Sequence, residues 1–582
     1  MSGFFFAQVT EGQLTQCRSR CARMLAHLNR PCHAVKSGFG GFLMAAAPHS
    51  GVLQTFKTER EMGVLLGYAL DERGRRLSPE DLSLRWKKEP AFQPDGYFAA
   101  VVVRADGSLT VAVDPLGLYP CHYTQLQDGC WVLASAARDL GTHPDFRPRP
   151  DPEGIAGQLL LNAPLYLHST LEDVRLIPPC SILHLRQGEP AEICAAGKVP
   201  LHPPGSFEEA YEEYAARLES AFRKHAAVAA GEATDLLLSG GRDSRTVAAL
   251  VVREGIRPRP VTFGLRHEFE VRAARAVAAD LGLRPFHWIR DQDPVWMLKA
   301  WEQRAIRSAG YGGGTFGGIP MYAGFAPWMH HGVLIDDLLG GFAMNFSWNP
   351  EIRQHEESLF FEKLNRWGFP AETLRDLYRD PEAGELGLRL RDRVLADFKG
   401  PAGETGQASF DWKFKTRVRT HLGATLWDLT RYTWPIVPGC DQELFAFMRG
   451  LPMEWVGPRR LQNRLLASHA PHMLEIPFDN NTMNFVPDRM QARRRFKVPK
   501  VFASSQPLRY HRIFDLHSPG WRAVVPLAEA GRESLHGLFR PERLEGLWPR
   551  DLRRYFASNP FAGLAGMRSL MVLAGYFAQD DL

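Results

Sequence analysis

Residues 236–250 read LLLSGGRDSRTVAAL, an apolar run followed by a compact set of hydroxyl, glycine and carboxylate residues and then an amphipathic helical pattern. Gly240 and Gly241 let the backbone come close to a ligand, and the open N–H groups and positive dipole end of the following helix favour a polyanion such as pyrophosphate. Ser239 and Ser244 add hydroxyl donors, and Asp243 adds a hard carboxylate oxygen. The spacing is neither the GxxxxGK[ST] of a Walker loop nor the GxGxxG of a dinucleotide fold, so kinase-type and nicotinamide chemistry are not indicated. The bland alternative is a tight turn from strand to helix.

Other residues could join this chemistry. Asp336, in GVLIDDLLGGF, follows the apolar residues 333–335 and is either a helix N-cap or a second carboxylate facing Asp243 across a magnesium ion that substrate phosphates complete. His330 and His331 are either packed histidines or a neutral imidazole base suited to deprotonating an amine. Arg493, Arg494, Arg495, Lys497 and Lys500 form a solvated face or bring Lys497 over an acyl phosphate. Residues 311–318, with five glycines, read as a substrate approach or a flexible loop.

The elements around the loop must present it. Apolar runs at 236–238, 261–264 and 285–289 alternate with helical patterns from about Ser244 to Arg253 and from about Glu270 to Leu281, which predicts a parallel sheet covered on both faces with the loop at its carboxyl edge. Upstream, Phe207, Tyr211, Tyr214, Leu218 and Phe222 share one helix face, with glutamates early and Arg223, Lys224 and His225 late. Before about residue 200 the short apolar runs 97–103, 109–113 and 131–134 are β-rich. Pro203, Pro204 and Gly205 mark the boundary between domains at 1–200 and 205–582. Beyond about residue 400 the pattern turns helical and aromatic, with Trp412, Trp427, Tyr432 and Trp434. The fold class is α/β.

A chain of 582 residues fits two large domains, and 45% hydrophobic with 23% charged residues is an ordinary globular composition. With 70 basic and 65 acidic residues, the formal charge of +5 is too balanced to imply a nucleic-acid partner. The apolar run 4–9 lacks a basic segment before it and falls far short of the roughly 20 residues of a membrane span, so neither export nor a membrane partner is expected and the location is cytoplasmic. The eight cysteines form no CxxC pairs and read as free thiols, with Cys17 and Cys21 at core spacing beside Leu14, Met24, Leu25 and Leu28.

The loop resembles the SGGxDS loop of the ATP pyrophosphatases, and the order of elements resembles the asparagine synthetase family, most closely its lasso peptide cyclases, over nearly the whole chain. The segments that carry this are GYFAAVVV at Gly96, DPLGLYPCHY at Asp114, the run ending at Ser135, HSTLEDVRLIPP at His168, TFGL at Thr262, DDLLGG at Asp336 and PIVPGCDQEL at Pro435. The resemblance implies an N-terminal-nucleophile (Ntn) hydrolase-like α+β domain followed by an ATP-pyrophosphatase synthetase domain with a helical C-terminal part. It further implies ATP as cofactor, Ser239 to Ser244 on its phosphates, Phe263 and Gly332 flanking the adenosine, and Asp243 with Asp336 on Mg2+. Three departures stand out. Ser2 occupies the place of the family's nucleophilic cysteine, Leu66, Gly67 and Tyr68 replace its Asn-Gly-Glu glutamine triplet, and Val333 replaces a base, leaving His331 as a candidate. The implied activity is formation of an acyl-adenylate and its capture by an amine, without a glutaminase. The implied substrate is either a precursor peptide, with a leader peptidase or leader-binding protein as partner, or a small carboxylate such as a sugar acid, as in amidotransferases and β-lactam synthetases. A nucleotide-binding scaffold without turnover is the non-enzymatic alternative.

Overall fold

The computed structural model describes residues 2–28, 30–161, 163–197, 204–264, 266, 269–290, 322–332, 368–399, 410–412, 414–416, 418–456, 459–476, 525–526, 528–548 and 564–578. Asp336, Lys497, Val333, segments 311–318 and 493–500, and part of the boundary at 201–206 lie outside the described residues.

The N-terminal part is built from β1 (Gly3–Gln8), α1 (Glu11–Leu28), β2 (Cys32–Gly38), β3 (Gly41–Ala47), β4 (Leu53–Lys57), β5 (Glu61–Leu70), β6 (Arg76–Leu77), α2 (Pro79–Lys88), β7 (Asp95–Arg104), β8 (Leu109–Val113), β9 (His122–Gln125), β10 (Trp131–Ala134), α3 (Pro152–Leu161), β11 (Arg175–Leu176), β12 (Ser181–Leu185) and β13 (Glu192–Ala195). The strands form two antiparallel sheets, in the orders β11-β9-β10-β1-β3-β2 and β13-β12-β8-β7-β5-β4, with β6 added to β5. Side chains alternate across a strand, so Phe4 and Phe6 meet Val64, Leu66, Tyr97 and Val101 of the second sheet, while Phe5, Phe42 and Met44 turn outward onto Cys17 and Cys21 of α1 and onto Ile155 and Leu159 of α3. On the far side, Leu65, Phe98, Ala100 and Val102 cover Leu82 and Trp86 of α2. The layers run helix, sheet, sheet, helix: an Ntn-hydrolase-like α+β architecture. Both faces of the inner strands are covered, which explains why they read as continuous apolar runs rather than as strict alternation.

The C-terminal part centres on a five-stranded sheet ordered β16-β15-β14-β17-β18, parallel throughout. Its members are β14 (Thr234–Leu237), β15 (Arg259–Gly264), β16 (His287–Arg290), β17 (Trp328–His330) and β18 (Trp434–Ile436), with α4 (Phe207–Ala226) leading in, α5 (Arg242–Arg253) after β14 and α6 (Phe269–Asp280) after β15. Successive strands β14, β15 and β16 step to one side, and β17 and β18 lie on the other. The order therefore reverses between β14 and β17, which is where open α/β sheets hold ligands. Asp235, fully buried, aligns the three central strands by pairing both carboxylate oxygens with Arg259 at 2.8 and 2.9 Å and accepting the Ala326 N–H at 2.8 Å. Helices Leu386–Lys399, Gln442–Arg449, Arg460–His469 and Leu564–Phe577 make the C-terminal part mostly helical, as its sequence pattern suggests.

The largest apolar core runs through both parts of the chain. Trp434 of β18 stacks on Tyr119 with ring centroids 5.9 Å apart and donates its indole N–H to the Tyr97 carbonyl at 3.1 Å. Gly67 lies under the same ring with φ +93°, and a Cβ there would come within 2.5 Å of the indole, so this position has room only for glycine. Lys224, read from the sequence as a charge at a helix end, is half-buried between Asp95 at 2.5 Å and Asp441.

Candidate active site

The glycine-rich loop leaves β14 and enters α5 two residues earlier than the apolar periodicity suggested: the helix begins at Arg242, so Asp243 stands in its first turn. Gly241 is the N-cap and offers no side chain, which leaves the first N–H groups of α5 to the loop. The two serines close the loop on itself. The Ser239 N–H donates to Ser244 Oγ at 3.1 Å, the two hydroxyls lie 3.0 Å apart, and the Gly241 N–H donates to Ser239 Oγ at 3.1 Å. These hydroxyls thus shape the loop before they meet any ligand.

The charged side chains flanking Asp243 are not solvated. Arg245 is fully buried and donates to the Gly240 carbonyl at 3.0 Å and to the Met473 and Ile476 carbonyls at 2.7 Å each, tying the loop to the chain that follows helix Arg460–His469. Arg242 is buried as well. Asp243 is half-buried, and its Oδ1 accepts a hydrogen bond from Gln462 Nε2 at 2.9 Å.

Gly332, two residues past β17, completes the arrangement across the switch point. A Cβ on Gly332 would lie 2.6 Å from the Asp243 carbonyl carbon and 2.7 Å from the Ser244 nitrogen, so the turn after β17 touches the first turn of α5 backbone to backbone. Phe263 is on β15, beside the loop strand, in register with Ile289. The structure thus brings together Ser239, Gly240, Gly241, Asp243, Ser244 and Gly332 at one sheet edge, with Phe263 on the adjacent strand.

His331 follows β17 and donates its backbone N–H to the Ile436 carbonyl at 3.3 Å. Burial pushes its imidazole down to about 4, leaving it neutral at pH 7 and a weak proton acceptor. His330 stacks on Phe222 with ring centroids 5.8 Å apart, and burial brings it to about 4 as well, which suits a packed histidine. Among the described residues no group of three or more His, Cys, Asp or Glu could hold a metal ion. One carboxylate with serine hydroxyls is nevertheless a hard-oxygen donor set of the kind that suits magnesium, which keeps several waters and draws on substrate phosphates.

In the N-terminal part the position of Ser2 is closed. Ser2 is fully buried: its N–H donates to Thr430 Oγ1 at 3.0 Å, its carbonyl accepts the Trp427 indole N–H at 2.9 Å, and its Oγ lies 3.1 Å from the Tyr119 hydroxyl. Leu66, Gly67 and Tyr68 are buried inside β5, where the Tyr68 hydroxyl pairs with His225 Nδ1 at 3.0 Å and accepts the Val437 N–H at 3.1 Å. Nothing in that triplet offers a carboxylate or amide to glutamine. Incubation of the protein with glutamine is expected to release no glutamate above background; release that Ser2→Ala abolished would show a working hydrolase.

No family model matches the chain. A 60-residue stretch is 53% identical to a 7-cyano-7-deazaguanine synthase of Paramagnetospirillum magneticum, covering 10% of this chain and 26% of that protein. A 62-residue stretch is 45% identical to the synthase of the same name from Parasynechococcus marenigrum, covering 10% and 27%. The chain therefore spans about a quarter of the length of these curated relatives. Among solved structures, it is 12% identical to an allosteric regulatory enzyme of purine biosynthesis, over 50% of this chain and 81% of that one, with a TM-score of 0.24. It is 11% identical to glutamine phosphoribosylpyrophosphate amidotransferase from B. subtilis complexed with ADP and GMP, over 51% and 82%, with a TM-score of 0.22. Overlaps that slight decide nothing. Among the described residues no helix is long and apolar enough to cross a membrane.

Proposed function

We propose that this chain is an ATP-dependent carbon–nitrogen ligase that adenylates a carboxylate and couples it to an amine, and that its substrate is a precursor peptide closed into a lasso-type macrolactam. The observation that carries the reading is the backbone contact between the 239–244 loop and Gly332 across the switch point of a parallel sheet. The partial likeness to curated synthases is consistent with ATP-driven bond formation.

A free carboxylate resists an amine because its charge repels the nucleophile and oxide leaves poorly. In the proposed reaction a carboxylate oxygen attacks the α-phosphorus of ATP and pyrophosphate leaves; the amine then attacks the acyl carbon and AMP leaves. The loop amides and the N-terminal end of α5 would hold the departing pyrophosphate, and Gly332 and Phe263 would flank the adenosine. Magnesium, held by Asp243 with Asp336, would neutralise charge on the leaving group. Lys497 and His331 are the remaining candidates, as a cation over the acyl phosphate and as the base. A peptide carrying both reacting groups gains about 7–11 kcal/mol from orientation alone, so a weak base such as His331 suffices. The closed site at Ser2 favours an amine supplied by the substrate over ammonia made in the same chain.

The test is ATP–pyrophosphate exchange that depends on an added carboxylate, followed by mass spectrometry of a candidate precursor for loss of one water with AMP formed in equal amount. ADP and phosphate as products would overturn adenylation. Amidation of a small acid or sugar acid with ammonia, and no peptide product, would overturn the macrolactam reading in favour of an amidotransferase-like or β-lactam-synthetase-like ligase.

A further inference from the structure

We propose that Gln462 is the positioning residue of the loop, holding the Asp243 carboxylate in the orientation the adenylation chemistry uses. This rests on the adenylation reading. Gln462 is fully buried on helix Arg460–His469, which packs against α5, and its Nε2 donates to Asp243 Oδ1 at 2.9 Å and to Thr246 Oγ1 at 3.1 Å. Thr246 Oγ1 in turn donates to the Arg242 carbonyl at 3.1 Å, so its lone pairs face the amide. Carboxylate and threonine oxygens both present acceptors, which fixes the amide with its nitrogen toward Asp243 and uses both of its hydrogens.

The helix that carries Gln462 is itself held. Leu461, Leu465 and Leu466 are buried, the Tyr211 hydroxyl lies 2.8 Å from Ser468 Oγ, and His469 Nε2 lies 2.8 Å from Glu219 Oε1. A first-turn carboxylate has several staggered rotamers, and a donor on a rigid neighbour selects one of them. A packing role explains the residue poorly. Among the described residues the buried Gln462 Oε1 has no hydrogen-bond partner, a cost that a methionine of similar length would not carry. The glutamine therefore sits where an apolar residue would pack at least as well, and its amide hydrogens serve the loop.

Stability and ligand affinity should accordingly part company in Gln462→Met. Its melting temperature is expected to equal or exceed that of the wild type, while calorimetry without acyl substrate should show Mg·ATP binding weakened about 10–100-fold. In the exchange assay KM for Mg·ATP should rise by more than kcat falls. Affinity and KM within twofold of the wild type, or a lower melting temperature with unchanged binding, would overturn the proposal. Should that variant not fold, Gln462→Glu keeps the length but sets a carboxylate against Asp243, and a folded Gln462→Glu with undiminished Mg·ATP affinity would overturn it equally. If the wild type binds Mg·ATP but exchanges no pyrophosphate, the adenylation reading fails while the affinity ratio still judges Gln462. If the wild type binds no nucleotide, a crystal structure of Gln462→Met decides, and an Asp243 carboxylate unmoved from its place would overturn the assignment.

Discussion

Asp243→Ala is expected to lower carboxylate-dependent ATP–pyrophosphate exchange on the order of 10³-fold, the scale of about 4 kcal/mol of lost charge stabilisation at a developing anion. The same change leaves a buried Gln462 donor without its acceptor, so a loss of about 1–3 kcal/mol in stability accompanies it. Asp243→Asn separates the two effects: its side-chain oxygen still accepts from Gln462, but the negative charge is gone. The Asn variant should unfold at nearly the wild-type denaturant midpoint and exchange almost as poorly as the Ala variant. Exchange retained in Asp243→Asn would mean that the carboxylate has no part in the chemistry.

The second large effect is structural. Trp434→Ala removes a fully buried indole that stacks on Tyr119, covers Gly67 and donates to the Tyr97 carbonyl, and truncation of a buried aromatic of this kind costs about 3–5 kcal/mol. Equilibrium unfolding in urea measures it. Because the ring joins a strand of the parallel sheet to the second antiparallel sheet, the loss should appear with either part of the chain as the reporter. A change below about 1 kcal/mol would show that the shared core tolerates a cavity there by collapse.

The loop was legible because everything it needs is local: an apolar strand, two glycines, serines five residues apart and an amphipathic helix all lie within residues 236–250. Three strands of the N-terminal part were legible in the short apolar runs 97–103, 109–113 and 131–134, and Cys17 and Cys21 in their helical spacing. What the sequence concealed depends on distance along the chain. Gln462 meets Asp243 from 219 residues away, and nothing near it marks a polar residue bound for burial. Arg245 looks like an ordinary surface charge on α5, yet it ends on carbonyls 228 and 231 residues downstream. Trp434 was visible as one of several aromatics, but its partner Tyr97 lies 337 residues earlier. Charge and aromatic content reveal that such residues exist; only the packed chain reveals what they hold.

The hydrogen bonds that fasten Ser2 to Thr430 and Trp427 also bear on how the chain is made. Ser2 and Thr430 lie 428 residues apart, and at about 5–20 residues per second on the ribosome the first waits roughly 20–90 s for the second to be synthesised. From the synthesis of Tyr119 until that of Trp434, the face formed by Tyr97, Tyr119 and Gly67 lacks the indole that covers it in the finished protein. A nascent chain stalled between Tyr119 and Thr430 would thus leave this aromatic face uncovered until the final third of translation.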